Sequence, residues 1–212
     1  MADMDRDRLI DAYIDHVLEH GKPPVTVWKF CKGVGIAEVD FYKLFSSLSV
    51  LEASIWGNVV SGTIETLNAD EDYAGYSARE KWLAFTYTYL ENLKNYRTFA
   101  LERFPREAGS LCCKRLQKME TAVTEFAESV VEAGKEDGSI ADRGRLLDLY
   151  PRAFFGHVLW ITQFFLDDES EGFERTDAAI EKSVNLAFDL TGNQVLDSIF
   201  DFARFIIGKP AQ

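Results

Sequence analysis

Apolar residues recur at steps of three and four along almost the whole chain, the period of helices that bury one face. Leu9, Ile10, Tyr13, Ile14, Val17 and Leu18 form a first stripe, which Gly21 and Pro23-Pro24 end. Thr26 suits the N-cap of a second helix, with Val25 and Phe30 spaced as a hydrophobic staple. Gly35 breaks that helix and permits a tight turn. The pattern then predicts a third short helix over about Glu38 to Phe45. A fourth runs from Leu48 towards Leu67, carrying Leu51, Ile55, Trp56 and Val59.

The remaining pattern is helical too. Trp82, Phe85, Thr86, Tyr89, Leu90 and Leu93 mark one stripe, and a short helix near Thr98 to Phe104 stops at Pro105. Cys112, Leu116, Met119, Val123, Phe126, Val130 and Ala133 predict a long amphipathic helix ending before Gly138. Pro151 opens another helix, at a position proline favours. Its stretch Ala153 to Leu166 is apolar nearly all round, which predicts burial on more than one side. Beyond the Asp167 to Gly172 loop, helices are expected over Thr176 to Leu190 and Val195 to Ile207.

No strand or hairpin signal, internal repeat or low-complexity tract interrupts this reading, so the expected class is all-α. The polar stretch Asn68 to Ser77 is the clearest break in the apolar pattern. We expect a three-helix head over residues 1–47 and a helical body over 48–212, with the fourth helix linking them.

Composition narrows the partners. The 212 residues carry a net charge of −12, which repels polyanions at long range. The 3 cysteines form no disulfide framework, and the charged N-terminus lacks an apolar signal core. The apolar run Ala153 to Leu166 is too short to span a bilayer at about 1.5 Å per residue. A cytoplasmic location is expected.

The segment T26-V-W-K-F-C-K-G-V-G-I-A-E-V-D-F-Y-K-L-F-S-S-L-S-V-L51 resembles the helix-turn-helix head of the tetracycline-repressor (TetR) family. Thr26, Phe30, Cys31, Val34, Gly35, Ile36, Phe41, Tyr42, Phe45 and Leu51 match its small, apolar and aromatic frame positions. The resemblance covers roughly the first quarter of the chain. It implies a DNA-binding head, a hollow helical body that takes a small apolar or amphipathic ligand, and a homodimer built by the late helices.

The departures from the family pattern concern DNA. Ala37 stands where a serine usually caps the recognition helix, a loss of about 1 kcal/mol. Val39 replaces a usual glycine, Asp40 a phosphate-touching hydroxyl, and Leu48 a phosphate-touching lysine. Glu38 and Asp40 suit the helix dipole but repel phosphate. Between Met1 and Val60, Arg6, Arg8, Lys22, Lys29, Lys32 and Lys43 face nine acids, a net charge of −3.

Two readings of the head stand side by side. In one, Lys29, Lys32, Tyr42 and Lys43 hold a DNA backbone while Glu38 and Val39 face base edges; glutamate accepts from cytosine N4. In the other, the head is a scaffold that has lost DNA binding, and the protein holds a lipid-like ligand or a protein partner. For the body, the resemblance implies a ligand pocket lined by Trp82, Phe85, Tyr89, Phe126, Phe155, His157 and Trp160, residue types that serve equally well as plain core.

The remaining candidates are weaker. His16 and His20 share a helix face but have no third ligand, so no metal site is expected. Cys112-Cys113 read as packing. The acid runs Asp70 to Asp72 and Asp167 to Glu171 read as solvated loops. With no phosphate loop, nucleophile elbow or triad, neither catalytic residues nor a cofactor are expected.

Overall fold

The computed structural model describes residues 5–106, 114–142 and 144–192. The described residues are helical and carry no strand. The helices are α1 (Arg6–His20), α2 (Val27–Val34), α3 (Glu38–Leu44), α4 (Leu48–Asn68), α5 (Ala78–Lys94), α6 (Arg97–Arg103), α7 (Gln117–Glu136), α8 (Tyr150–Leu166) and α9 (Glu174–Gly192). The expected helix at 195–207 and the Cys112-Cys113 pair lie outside the described residues.

Local chemistry sets the head's boundaries. The Asp5 carboxylate caps α1 by accepting from Arg8 N, and Gly21 closes it in the left-handed region at φ 63°. Thr26 caps α2, and Gly35 at φ 74° ends it, so the tight turn into α3 needs a residue without a Cβ penalty. Ala37 has the extended backbone of an N-cap but no side chain to complete it. One expectation is corrected here. Val25 is 71% exposed while Phe30 is buried, so the two make no staple. Phe30 instead sits edge-on between Tyr13 (6.0 Å) and Phe41 (6.1 Å), which makes it the centre of the head's core.

α4 is the spine. It packs along α7 and α5 and also touches α1, so its flanks are buried over most of its length. In the body, Trp82, Phe85 and Tyr89 on α5 stack in sequence, 5.1 Å and 6.1 Å between rings. Phe126 of α7 stacks on Phe85 at 4.6 Å, and Phe154 of α8 meets Trp82 at 4.4 Å. The acid run after α8 corrects a second expectation. Asp168 is buried, not solvated, and accepts from Ser170 N, Thr176 N and the Thr176 hydroxyl. Burial pushes its carboxyl upward, but these hydrogen bonds outweigh that and hold it well below the usual carboxylate range.

Candidate functional site

Three regions bear on function: the exposed face of the head, the junction between head and body, and the clefts of the body.

On the head, Lys29 and Lys32 of α2 and Val39, Tyr42 and Lys43 of α3 are exposed, and Glu38 is half-buried. Val39 is 62% and Tyr42 53% exposed, so α3 does present side chains outward. Lys32 lies over the exposed Trp28 ring at 5.0 Å. Lys43 donates to Asp40 at 2.8 Å, one turn away, so this acid is answered within its own helix. The charge count of the head changes in a second way. Glu52, one of the nine acids counted between Met1 and Val60, is only 2% exposed. Arg6, though exposed, is also engaged, donating to the Leu44 carbonyl at 2.8 Å with its guanidinium 4.3 Å from the Phe45 ring centre.

Glu52 forms the junction. Its carboxylate accepts from the Tyr13 hydroxyl at 2.7 Å, from Arg103 at 2.8 Å and from Arg115 at 3.3 Å. Those partners come from α1, from α6 and from the 3-10 turn Lys114–Leu116 that leads into α7. Arg115 also donates to the Arg103 carbonyl. Burial, with the neighbouring carboxylate charge and hydrogen bond, pushes the Tyr13 phenol far above its ordinary pKa, so it remains a donor. A buried carboxylate without such partners would be strongly unfavourable. A second contact runs beside it: Lys118 of α7 donates to Ser54 of α4 at 2.9 Å. Sequence patterning missed this junction. The available signal was a lone acid inside the apolar run Leu51 to Val60.

In the body, the expected pocket residues divide. Trp82, Phe85, Tyr89 and Phe155 are fully buried and pack against aromatic or aliphatic neighbours. The Tyr89 hydroxyl meets Thr162 at 2.9 Å; Thr162 gives its own hydrogen to the Val158 carbonyl, so Tyr89 donates. His157 bridges two layers. The Trp82 indole N–H donates to its Nδ1 at 3.2 Å, which leaves Nε2–H to donate to Ser183 at 2.8 Å. Ser183 in turn donates to the Ala179 carbonyl. Burial pushes His157 down to about 4, so it is neutral.

The other two expected lining residues reach the surface at different places. Trp160 is 48% exposed and borders clefts of about 250 and 460 Å³ on the outer α8–α9 face, along with Phe164 and Arg175. Phe126 borders a cleft of about 530 Å³ between α4, α5 and α7. His16 and His20 stack at 4.2 Å on α1, and among the described residues no group of three His, Cys, Asp or Glu is arranged to hold a metal. Among those residues, too, no helix is long and apolar enough to cross a membrane.

The architecture is a three-helix head joined by one long helix, α4, to an all-α body. Residues 81–206 match the family model described as tetracyclin repressor-like, C-terminal domain. That is more than half of the chain, and the chain belongs to the TetR family. Two solved structures share the fold over nearly their whole length. One is the fatty acid degradation regulator FadR from Bacillus halodurans, with TM-score 0.61, 17% identity, 87% of this chain and 98% of that chain covered. The other is a TetR-family regulatory protein from Rhodococcus RHA1, with TM-score 0.54, 14% identity and 88% and 96% covered. No curated protein sequence matches the chain.

Proposed function

We propose that the protein is a homodimeric, ligand-responsive transcriptional regulator, with residues 1–47 as its DNA-binding head and 48–212 as its ligand-binding and dimerisation body. The single observation that carries this reading is the Glu52 junction. One buried carboxylate ties α1 to α6 and to the start of α7, so a displacement of the body elements is transmitted to the head. Lys29 and Lys32, exposed on α2, supply the phosphate contacts, and Tyr42 adds a hydroxyl from α3. Glu38 and Val39 face the base edges. The dimer forms through the α8–α9 face, where Trp160 and Leu186 are 48% and 59% exposed. In such a dimer the two heads read half-sites about 34 Å apart.

The alternative is a TetR-fold ligand-binding or scaffold protein without DNA binding. The observation favouring it is the apolar exposure of Val25, Trp28 and Val39 on an acidic head, a surface suited to a protein partner. Charge reversal separates the two. Lys29→Glu with Lys32→Glu abolishes retention of the protein's own upstream DNA in the regulator reading, with helicity and dimer mass unchanged. Equal retention before and after reversal, or none in either protein, favours the scaffold.

A further inference from the structure

The cleft between α4, α5 and α7 carries chemistry of its own. It holds about 530 Å³, in the range of small-molecule sites. Ile64, Tyr73, Ala122 and Phe126 give it an apolar lining. Phe126 is continuous with the body core through its stack on Phe85, so a molecule lying here touches the core's outermost ring. Two carboxylates border it, Glu65 from α4 and Glu125 from α7. Both are exposed, and neither makes an ion pair or side-chain hydrogen bond with a described residue. Lys81 is the one cation among the lining residues, so the carboxylates outnumber it two to one.

We propose that this cleft binds a small organic cation with an apolar body, the positive group between Glu65 and Glu125 and the body against Phe126 and Tyr73. The inference gives a chemical class to the ligand of the proposed regulator and rests on that reading for its regulatory consequence, but not for the binding itself. Two exposed carboxylates give a cation a modest attraction, and the aromatic rings beside them add to it. A fatty carboxylate or an organic phosphate meets two carboxylates against the single Lys81 charge here, in a chain whose net charge is −12. Occupancy bridges α4 to α7. Glu65 lies thirteen residues beyond Glu52 on the same helix, ~20 Å along its axis, so the site and the junction share one rigid element. Regulation then follows if the two head spacings present this cleft with different widths, since only differential affinity shifts an equilibrium.

The test needs no DNA. Titration calorimetry on the full chain compares decyltrimethylammonium with decanoate, both below their micelle concentrations. Saturable binding of the cation at one per chain is expected, with decanoate at least ~10-fold weaker. Glu65→Gln and Glu125→Gln each weaken the cation at least ~5-fold, and the double variant removes saturable binding, with urea midpoints unchanged because both residues are exposed. Glu171→Gln, an exposed acid outside the cleft, leaves affinity unchanged. Decanoate binding as tightly as the cation overturns the proposal, as does indifference to Glu65→Gln and Glu125→Gln, or an equal loss with Glu171→Gln, which marks general attraction to an acidic protein. Cation binding without any DNA binding sinks the regulator reading alone. DNA binding without cation binding sinks this inference alone.

Discussion

The Tyr13 hydroxyl donates to the Glu52 carboxylate at 2.7 Å, joining the first helix of the head to the helix that enters the body. Arg103 of α6 and Arg115 of the turn before α7 reach the same carboxylate. Tyr13→Phe keeps the ring between Phe30 and Phe99 and removes only this donor. A hydrogen bond to a charged group contributes ~1.5–3 kcal/mol, so the urea midpoint falls by a matching amount. Glu52→Ala leaves two arginines facing a buried gap and lowers stability more, by ~3–5 kcal/mol. A midpoint unchanged by either substitution contradicts the junction.

Ala37 has the backbone of an N-cap (φ −79°, ψ 146°) without a capping oxygen. Ala37→Ser supplies an acceptor for the free N–H groups at the start of α3. Head stability rises by about 1 kcal/mol, read as a higher thermal midpoint. No gain would mean that α3 begins elsewhere.

Gly134 lies under Ile140. A Cβ added there would sit 2.6 Å from Ile140 Cγ1 and 2.7 Å from Cδ1. Gly134→Ala gains about 1 kcal/mol of helix propensity but overpacks this contact, at about 1–3 kcal/mol. Net destabilisation is therefore expected in the native background. Ile140→Ala removes the Cγ1 and Cδ1 clashes and leaves only its Cβ, 3.1 Å away, so Gly134→Ala costs less in that background, a coupling that a double-mutant cycle measures.

Acidification acts on two buried groups in separate windows. The pKa of His157 is lowered in the folded state from 6.5 to about 4 by burial, so the unfolded chain takes up its proton first. Its influence on stability is absent above about pH 6.5 and turns unfavourable as pH falls towards 4, at no more than ~1.4 kcal/mol per pH unit. His157→Gln flattens that part of the curve. Asp168, depressed in the folded state, acts oppositely. Its favourable contribution is present above its unfolded value and is lost only as pH falls below about 4. Asp168→Asn removes that lower limb. Unfolding midpoints between pH 3 and 8 separate the two.

The helical periods, the Thr26 cap, the Gly35 turn and the start of α8 at Pro151 were legible because they depend on local spacing and backbone chemistry. What depended on tertiary direction was not. Glu52 reads as one more negative charge in a count until α6 and the turn before α7 bring two arginines to it. Asp168 reads as loop charge until the start of α9 folds over it. The resemblance puts Trp160 in a pocket lining, and only packing separates the face of α8 turned to Trp82 from the face left half-exposed. The aromatic stripe of α5 marked the body's interior correctly, but residue type alone does not distinguish a filled core from a lined cleft.

Affinity for the protein's own upstream DNA, measured by fluorescence anisotropy across a salt series against a scrambled duplex of equal length, tests the regulator most directly. Tighter binding to the native duplex, at two chains per site, is predicted, with log affinity falling linearly in log salt at a slope near −0.9 for each phosphate contacted. Equal affinity for native and scrambled duplexes at every salt concentration, or no binding at the lowest, would contradict it.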